Sequence, residues 1–86
     1  MEPEREVAAI QFGTNLERYR RRAKLSQARL AYLAVLDRSE ISLLERGLRE
    51  PRLDTVIKLA GALEVSLNML FEGTGWTIER PPADES

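Results

Sequence analysis

The sequence predicts an all-α fold of about five short helices around one core, and three observations carry that expectation. Apolar residues recur three and four apart: Phe12, Leu16 and Tyr19, then Leu30 and Leu33, then Ile41 and Leu44, then Val56, Leu59 and Leu63. This is the spacing of one helix face, not of a pleated strand. Polar capping residues fall where one such stretch gives way to the next. With 86 residues and neither cysteine nor histidine, the chain is sized for a single domain held by packing alone, without disulfides or the preferred ligands of a zinc site.

Each element follows from its punctuation. Half of residues 1–8 are charged and the segment is expected to form a flexible tail, after which Phe12, Leu16 and Tyr19 mark the first helix. Ser26 can accept from the free amides of a second helix running to about Ala34. Asp37, with Glu40 three residues on, reads as an acidic capping box opening a third helix that stops at Gly47. Pro51 closes the next loop, Asp54 places negative charge in the first turn of a fourth helix, and Ser66 opens a short fifth that ends at Gly73. Helices this short are marginal alone, so each must bury its apolar stripe against its neighbours. The organisation is a tail over 1–8, one domain over 9–73 and an extension over 74–86. In that extension Trp76 and Ile78 alternate about Thr77, which suits a short extended strand, packing onto the globule or cover for a partner subunit. Pro81 and Pro82 then argue against helix and for disorder.

Composition narrows the functional classes. An apolar fraction of 43% and a charged fraction of 31% suit an ordinary globular domain. No apolar run approaches a membrane span, and the opening Met1-Glu2-Pro3-Glu4 lacks the pattern of a signal peptide, so a cytoplasmic protein without a membrane partner is expected. The net charge is −1, yet the acidic balance belongs to the ends: between Ile10 and Glu72 eleven basic residues face eight acidic ones. The candidates for a base, nucleophile or metal ligand are only surface carboxylates, serines and lysines, with no glycine-rich phosphate loop, so no catalytic residue, cofactor or metal ligand is expected.

The chemistry-bearing constellation lies between the second and third helices. Only Val35, Leu36 and Asp37 separate them, which suits the sharp bend of a helix-turn-helix, whose second member enters the major groove of double-stranded DNA. Ile41 and Leu44 point inward, leaving Arg38, Ser39, Ser42 and Leu43 towards the groove. Arg38 can bind guanine O6 and N7 as a bidentate pair. Ser39 and Ser42 are short adaptable partners. Leu43 either touches a thymine methyl or completes the core, and Glu40 either caps the helix or accepts from a cytosine amine. Arg46, Arg49 and Arg52 surround the following loop, where backbone phosphates pass. Arg18, Arg20, Arg21, Arg22 and Lys24 offer a phosphate-binding stripe, but five charges within seven residues of a helix must point several ways, so they read mainly as solvated surface.

An ordered set of short motifs then resembles one family, the Cro/cI-type helix-turn-helix domains of the xenobiotic response element family. The resemblance runs from about Phe12 to Glu72 through Leu25-Ser26-Gln27, Leu30-Ala31, Leu36-Asp37-Arg38-Ser39, Ile41-Ser42, Leu44-Glu45-Arg46-Gly47, Pro51, Leu59-Ala60, Leu63-Glu64-Val65-Ser66 and Leu70-Phe71. Leu36 to Gly47 is especially similar to restriction-modification controller proteins. The resemblance implies a compact five-helix lambda-repressor-like domain that binds operator DNA as a homodimer, as a transcriptional regulator and most often a repressor. It also implies that Gln27 contacts the phosphate backbone and braces the reading helix, and that Arg20 and Glu45 form a partly buried salt bridge. Three residues depart from the family pattern: Val35 replaces the glycine of the tight turn, Lys24 a helix-ending glycine, and Arg52 a capping serine or threonine. The rival expectation is a protein-interaction module on the same fold, such as an antitoxin or adaptor, with Trp76-Thr77-Ile78 as partner surface.

Overall fold

The computed structural model describes residues 3–76, with side chains from Glu6 onward. Five helices follow one another: α1 (Pro3–Arg22), α2 (Gln27–Ala34), α3 (Arg38–Glu45), α4 (Leu53–Leu63) and α5 (Leu67–Phe71). No strand occurs among the described residues. Phe12 and Leu16 of α1, Leu30 of α2, Ile41 and Leu44 of α3, Val56 and Leu59 of α4 and Leu70 of α5 meet fully buried at the centre. Burial of each such side chain contributes about 1.5–3 kcal/mol. Leu33, expected on the apolar stripe of the second helix, is exposed, and Ala31 and Ala34 take the inward positions beside Leu30.

The first boundary differs from expectation. Residues 3–8, anticipated as a tail, belong to α1, which starts at Pro3. Proline is well suited to the first helical position, because the N–H it lacks would have no partner there. Ala8 and Ala9 are already buried, so packing supports the helix well before Phe12. At the other end Trp76 packs on Phe71, with ring centroids 6.4 Å apart and an interplanar angle of 87°, and Phe71 lies 5.9 Å from Phe12. Trp76 therefore extends the core. Thr77, Ile78 and the rest of the expected extended segment lie outside the described residues. Although α1 has 20 residues, no described helix is long and apolar enough to cross a membrane.

Four helices end in the same doubly bonded turn, in which two successive amides return to the last turn of the helix. After α1, Lys24 N–H donates to the Arg21 carbonyl (2.9 Å) and Leu25 N–H to that of Arg20 (3.1 Å). After α2, Val35 donates to Tyr32 (3.3 Å) and Leu36 to Ala31 (2.8 Å). Gly47 and Leu48 do the same after α3, and Glu64 and Val65 after α4. The motif needs a left-handed residue, and three of the four are not glycine: Lys24, Val35 and Glu64 have φ near +60. Val35, at φ 56 and ψ 51, is the least suited, because its branched β-carbon crowds the backbone there. The turn keeps it because both hydrogen bonds close and because Leu36 packs against the core. Val35 itself is 79% exposed and gains little from burial. Val35→Gly is therefore expected to raise stability by about 1 kcal/mol, the relief of left-handed strain exceeding the entropy that glycine adds to the unfolded chain. Urea unfolding checks this, and a lower midpoint would show that the valine side chain contributes packing.

At the helix starts, Ser26 Oγ accepts from Arg29 N–H (3.0 Å) and Ser66 Oγ from Met69 N–H (3.2 Å). Asp37 has the extended backbone of a cap, but its side chain makes no capping bond. The expected capping box does not form, because the Glu40 carboxylate pairs with Arg49 instead. A guanidinium offers that carboxylate a charge-assisted bond, stronger than one to a neutral amide. Finally, Asn15, fully buried on α1, donates through Nδ2 to the carbonyls of Leu70 (2.9 Å) and Glu72 (2.7 Å). These bonds satisfy carbonyls that the end of α5 would otherwise leave open.

Candidate nucleic-acid interface

The candidate site is α3, and its neighbours fix where it points. Ile41 and Leu44 are fully buried, which sets the rotation of the helix. Gly13 sets its approach to α1: a β-carbon there would lie 2.7 Å from the Glu45 carbonyl oxygen and closer still to that of Leu44. Only a residue without a side chain allows the two backbones so near.

A hydrogen-bonded network holds the far end of α3. Arg20 Nε donates to Glu45 Oε2 (2.6 Å), Arg20 Nη2 to Glu45 Oε1 (3.0 Å), and Arg20 Nη1 to the Leu25 carbonyl (2.8 Å). Gln27, the first residue of α2, donates through Nε2 to Glu45 Oε1 (3.0 Å). Three helices thus converge on one carboxylate, with the Arg20 and Glu45 side chains only 10% and 4% exposed. The hydrogen bond to Glu45 raises the Arg20 pKa above its ordinary value. It is opposed by burial and assisted by the charges of Glu45 and Glu17.

The opposite face of α3 is open. Arg38 and Ser39 are exposed, Ser42 and Leu43 half-buried. No ion-pair partner engages Arg38 among the described residues. Leu43 is neither fully in the core nor fully in solvent. Beyond the helix, Arg46 is exposed and its Nε makes only a long bond to the Ser42 carbonyl (3.4 Å). Arg52 lies 3.4 Å from Asp54, both side chains mostly exposed at 82% and 61%. Arg49 differs from these two in that it holds Glu40.

Two residues of this region escaped sequence reading. Gly13 gave no signal, since a glycine inside a helical pattern reads only as a propensity cost. Lys58 joins Arg49 and Arg52 along a groove that also contains Asp37, Glu40 and Asp54. Helical facing could have found it, because Val56, Leu59 and Leu63 turn the other side of α4 inward. Of the basic run of α1, Arg20 turns inward to Glu45, whereas Arg18, Arg21 and Arg22 share one surface concavity with Glu17, Arg21 pairing with that carboxylate (2.8 Å) and Arg18 and Arg22 lying over the Tyr19 ring.

A short helix braced behind by two others, joined to one of them by a bend of three residues and bare on its outer face, defines a helix-turn-helix DNA-binding domain. The chain belongs to the helix-turn-helix family, whose model matches residues 16–70. It is 36% identical over 62 residues to YqaE, an uncharacterized HTH-type transcriptional regulator of Bacillus subtilis (strain 168), covering 72% of this chain and 53% of YqaE. The chain thus corresponds to about half of that relative's length. Among solved structures it is similar to the restriction-modification controller protein C.AhdI of Aeromonas hydrophila, with a TM-score of 0.72 and 41% identity over 73% of this chain and 96% of that one. It is also similar to the hypothetical transcription factor NHTF from Neisseria, with a TM-score of 0.73 and 28% identity over 83% and 82% of the two chains.

Proposed function

We propose that the protein is a homodimeric repressor of transcription that works on cytoplasmic DNA, placing α3 of each subunit in successive major grooves. The half-site centres then lie about 34–36 Å apart. The observation that carries this reading is Arg38: it stands exposed in the first turn of a braced helix, with no ion-pair partner among the described residues. Its guanidinium is available for guanine, while Ser39, Ser42 and Leu43 complete the reading surface. Gln27, Arg46 and Arg52 supply the phosphate contacts that set register. The likeness to a restriction-modification controller supports a regulatory role for this surface.

Selection of bound sequences from a random duplex pool tests the proposal. Wild-type protein is expected to enrich a two-fold symmetric site. Arg38→Ala is expected to degrade one position in each half by about 1–3 kcal/mol of discrimination while leaving the rest of the site intact. A pool with nothing enriched would sink the regulator reading and direct attention to a protein partner. An enriched but asymmetric single site would remove the homodimer.

A further inference from the structure

Glu40 stands on the helix that the proposed function puts in the major groove, and a carboxylate there approaches the densest negative charge a duplex offers. By itself it would oppose binding to any sequence. Its Oε1, however, accepts from Arg49 Nη1, and its side chain is only 18% exposed against 52% for Arg49. The pair lies in the groove where Asp37, Glu40 and Asp54 face Arg49, Arg52 and Lys58, three carboxylates among three cations.

To a guanidinium, a carboxylate and a phosphate offer the same attraction, oxygens sharing negative charge. We propose that Glu40 is an internal competitor for phosphate: it withholds Arg49 from the DNA backbone and so holds down sequence-independent binding. This inference rests on the DNA-binding reading above. Sequence-independent affinity comes almost wholly from phosphate contacts, whereas specific affinity adds the base contacts of Arg38 and its neighbours. Withholding one phosphate contact therefore removes a larger share of the first than of the second. Arg52 offers the contrast. Its partner Asp54 is more distant, and both side chains are solvated, so water already screens that pair and a phosphate displaces it readily.

The test is a double-mutant cycle of Glu40→Gln and Arg49→Gln, read as the salt dependence of binding to a random-sequence duplex of fixed length. Glu40→Gln is expected to bind about tenfold tighter near physiological salt, with a slope of log K against log salt steeper by about 0.9, the increment of one phosphate. In that background Arg49→Gln restores the wild-type slope, while in the wild-type background it changes the slope little. If Arg49→Gln flattens the slope equally in both backgrounds, or if Glu40→Gln neither tightens nor steepens binding, the competitor role is overturned. If the tightening persists in the double variant, loss of negative charge alone accounts for it, and the role is overturned again. A wild-type protein that binds no duplex at any salt overturns the functional reading itself, which separates the two failures.

Discussion

Glu45→Ala is expected to cost about 3–5 kcal/mol of folding stability, because removing one partner of a buried ion pair strands the other. Arg20 would keep only the Leu25 carbonyl and the half-exposed Glu17 carboxylate 4.0 Å away, and Gln27 would lose its acceptor. For a chain of this size each kcal/mol moves the melting temperature by about 4–8 °C, so thermal unfolding followed by circular dichroism resolves the effect easily. The combined variant Arg20→Met with Glu45→Leu should recover most of the loss, since apolar replacement of both partners removes the stranded charge along with the attraction. A loss below about 1 kcal/mol in the single variant would place the pair among solvent-screened surface contacts and sink the argument.

Gly13→Ala is expected to cost about 3 kcal/mol, the upper part of the usual range for overpacking. The added carbon would meet the Leu44 and Glu45 carbonyl oxygens, which are backbone and cannot rotate away. α1 and α3 would have to separate, loosening Phe12 and Leu44 together. Gly61→Ala supplies the control: its added carbon meets nothing within 4 Å. There the same change should stabilise by about 0.5–1 kcal/mol through helix propensity. Denaturant midpoints moving in opposite directions for the two variants would establish the close approach, and movement in the same direction would refute it.

Much of the fold was legible because it is encoded locally. Ser26 and Ser66 cap where their positions indicate, and the spacing of Ile41 and Leu44 correctly oriented α3. What escaped depends on residues distant in sequence or on the absence of a side chain. Asp37 and Glu40 matched a capping box, but the partner that takes Glu40 lies nine residues on, outside any local window. Gly13 matters for what it lacks, and the atoms that require this belong to a helix some thirty residues away. Val35 departs from the usual turn glycine, yet backbone hydrogen bonds hold it in the glycine conformation. At the candidate site, the pairing of Arg20 with Glu45 entered through family resemblance, since nothing in the spacing of those residues requires it. The division of labour between Arg38 and the loop arginines rests on facing and exposure alone.

The two bonds that Asn15 makes to Leu70 and Glu72 span 55 and 57 positions, and this bears on how the chain assembles. The α2–α3 unit closes across a bend of three residues, a fast local event, whereas α1 must wait for α5 before Asn15 finds its acceptors. A nascent chain still inside the ribosome cannot make that last contact until Glu72 has emerged. The seam between α1 and α5 therefore closes after the α2–α3 unit. Amides along that seam should exchange with solvent sooner than those of the α2–α3 unit.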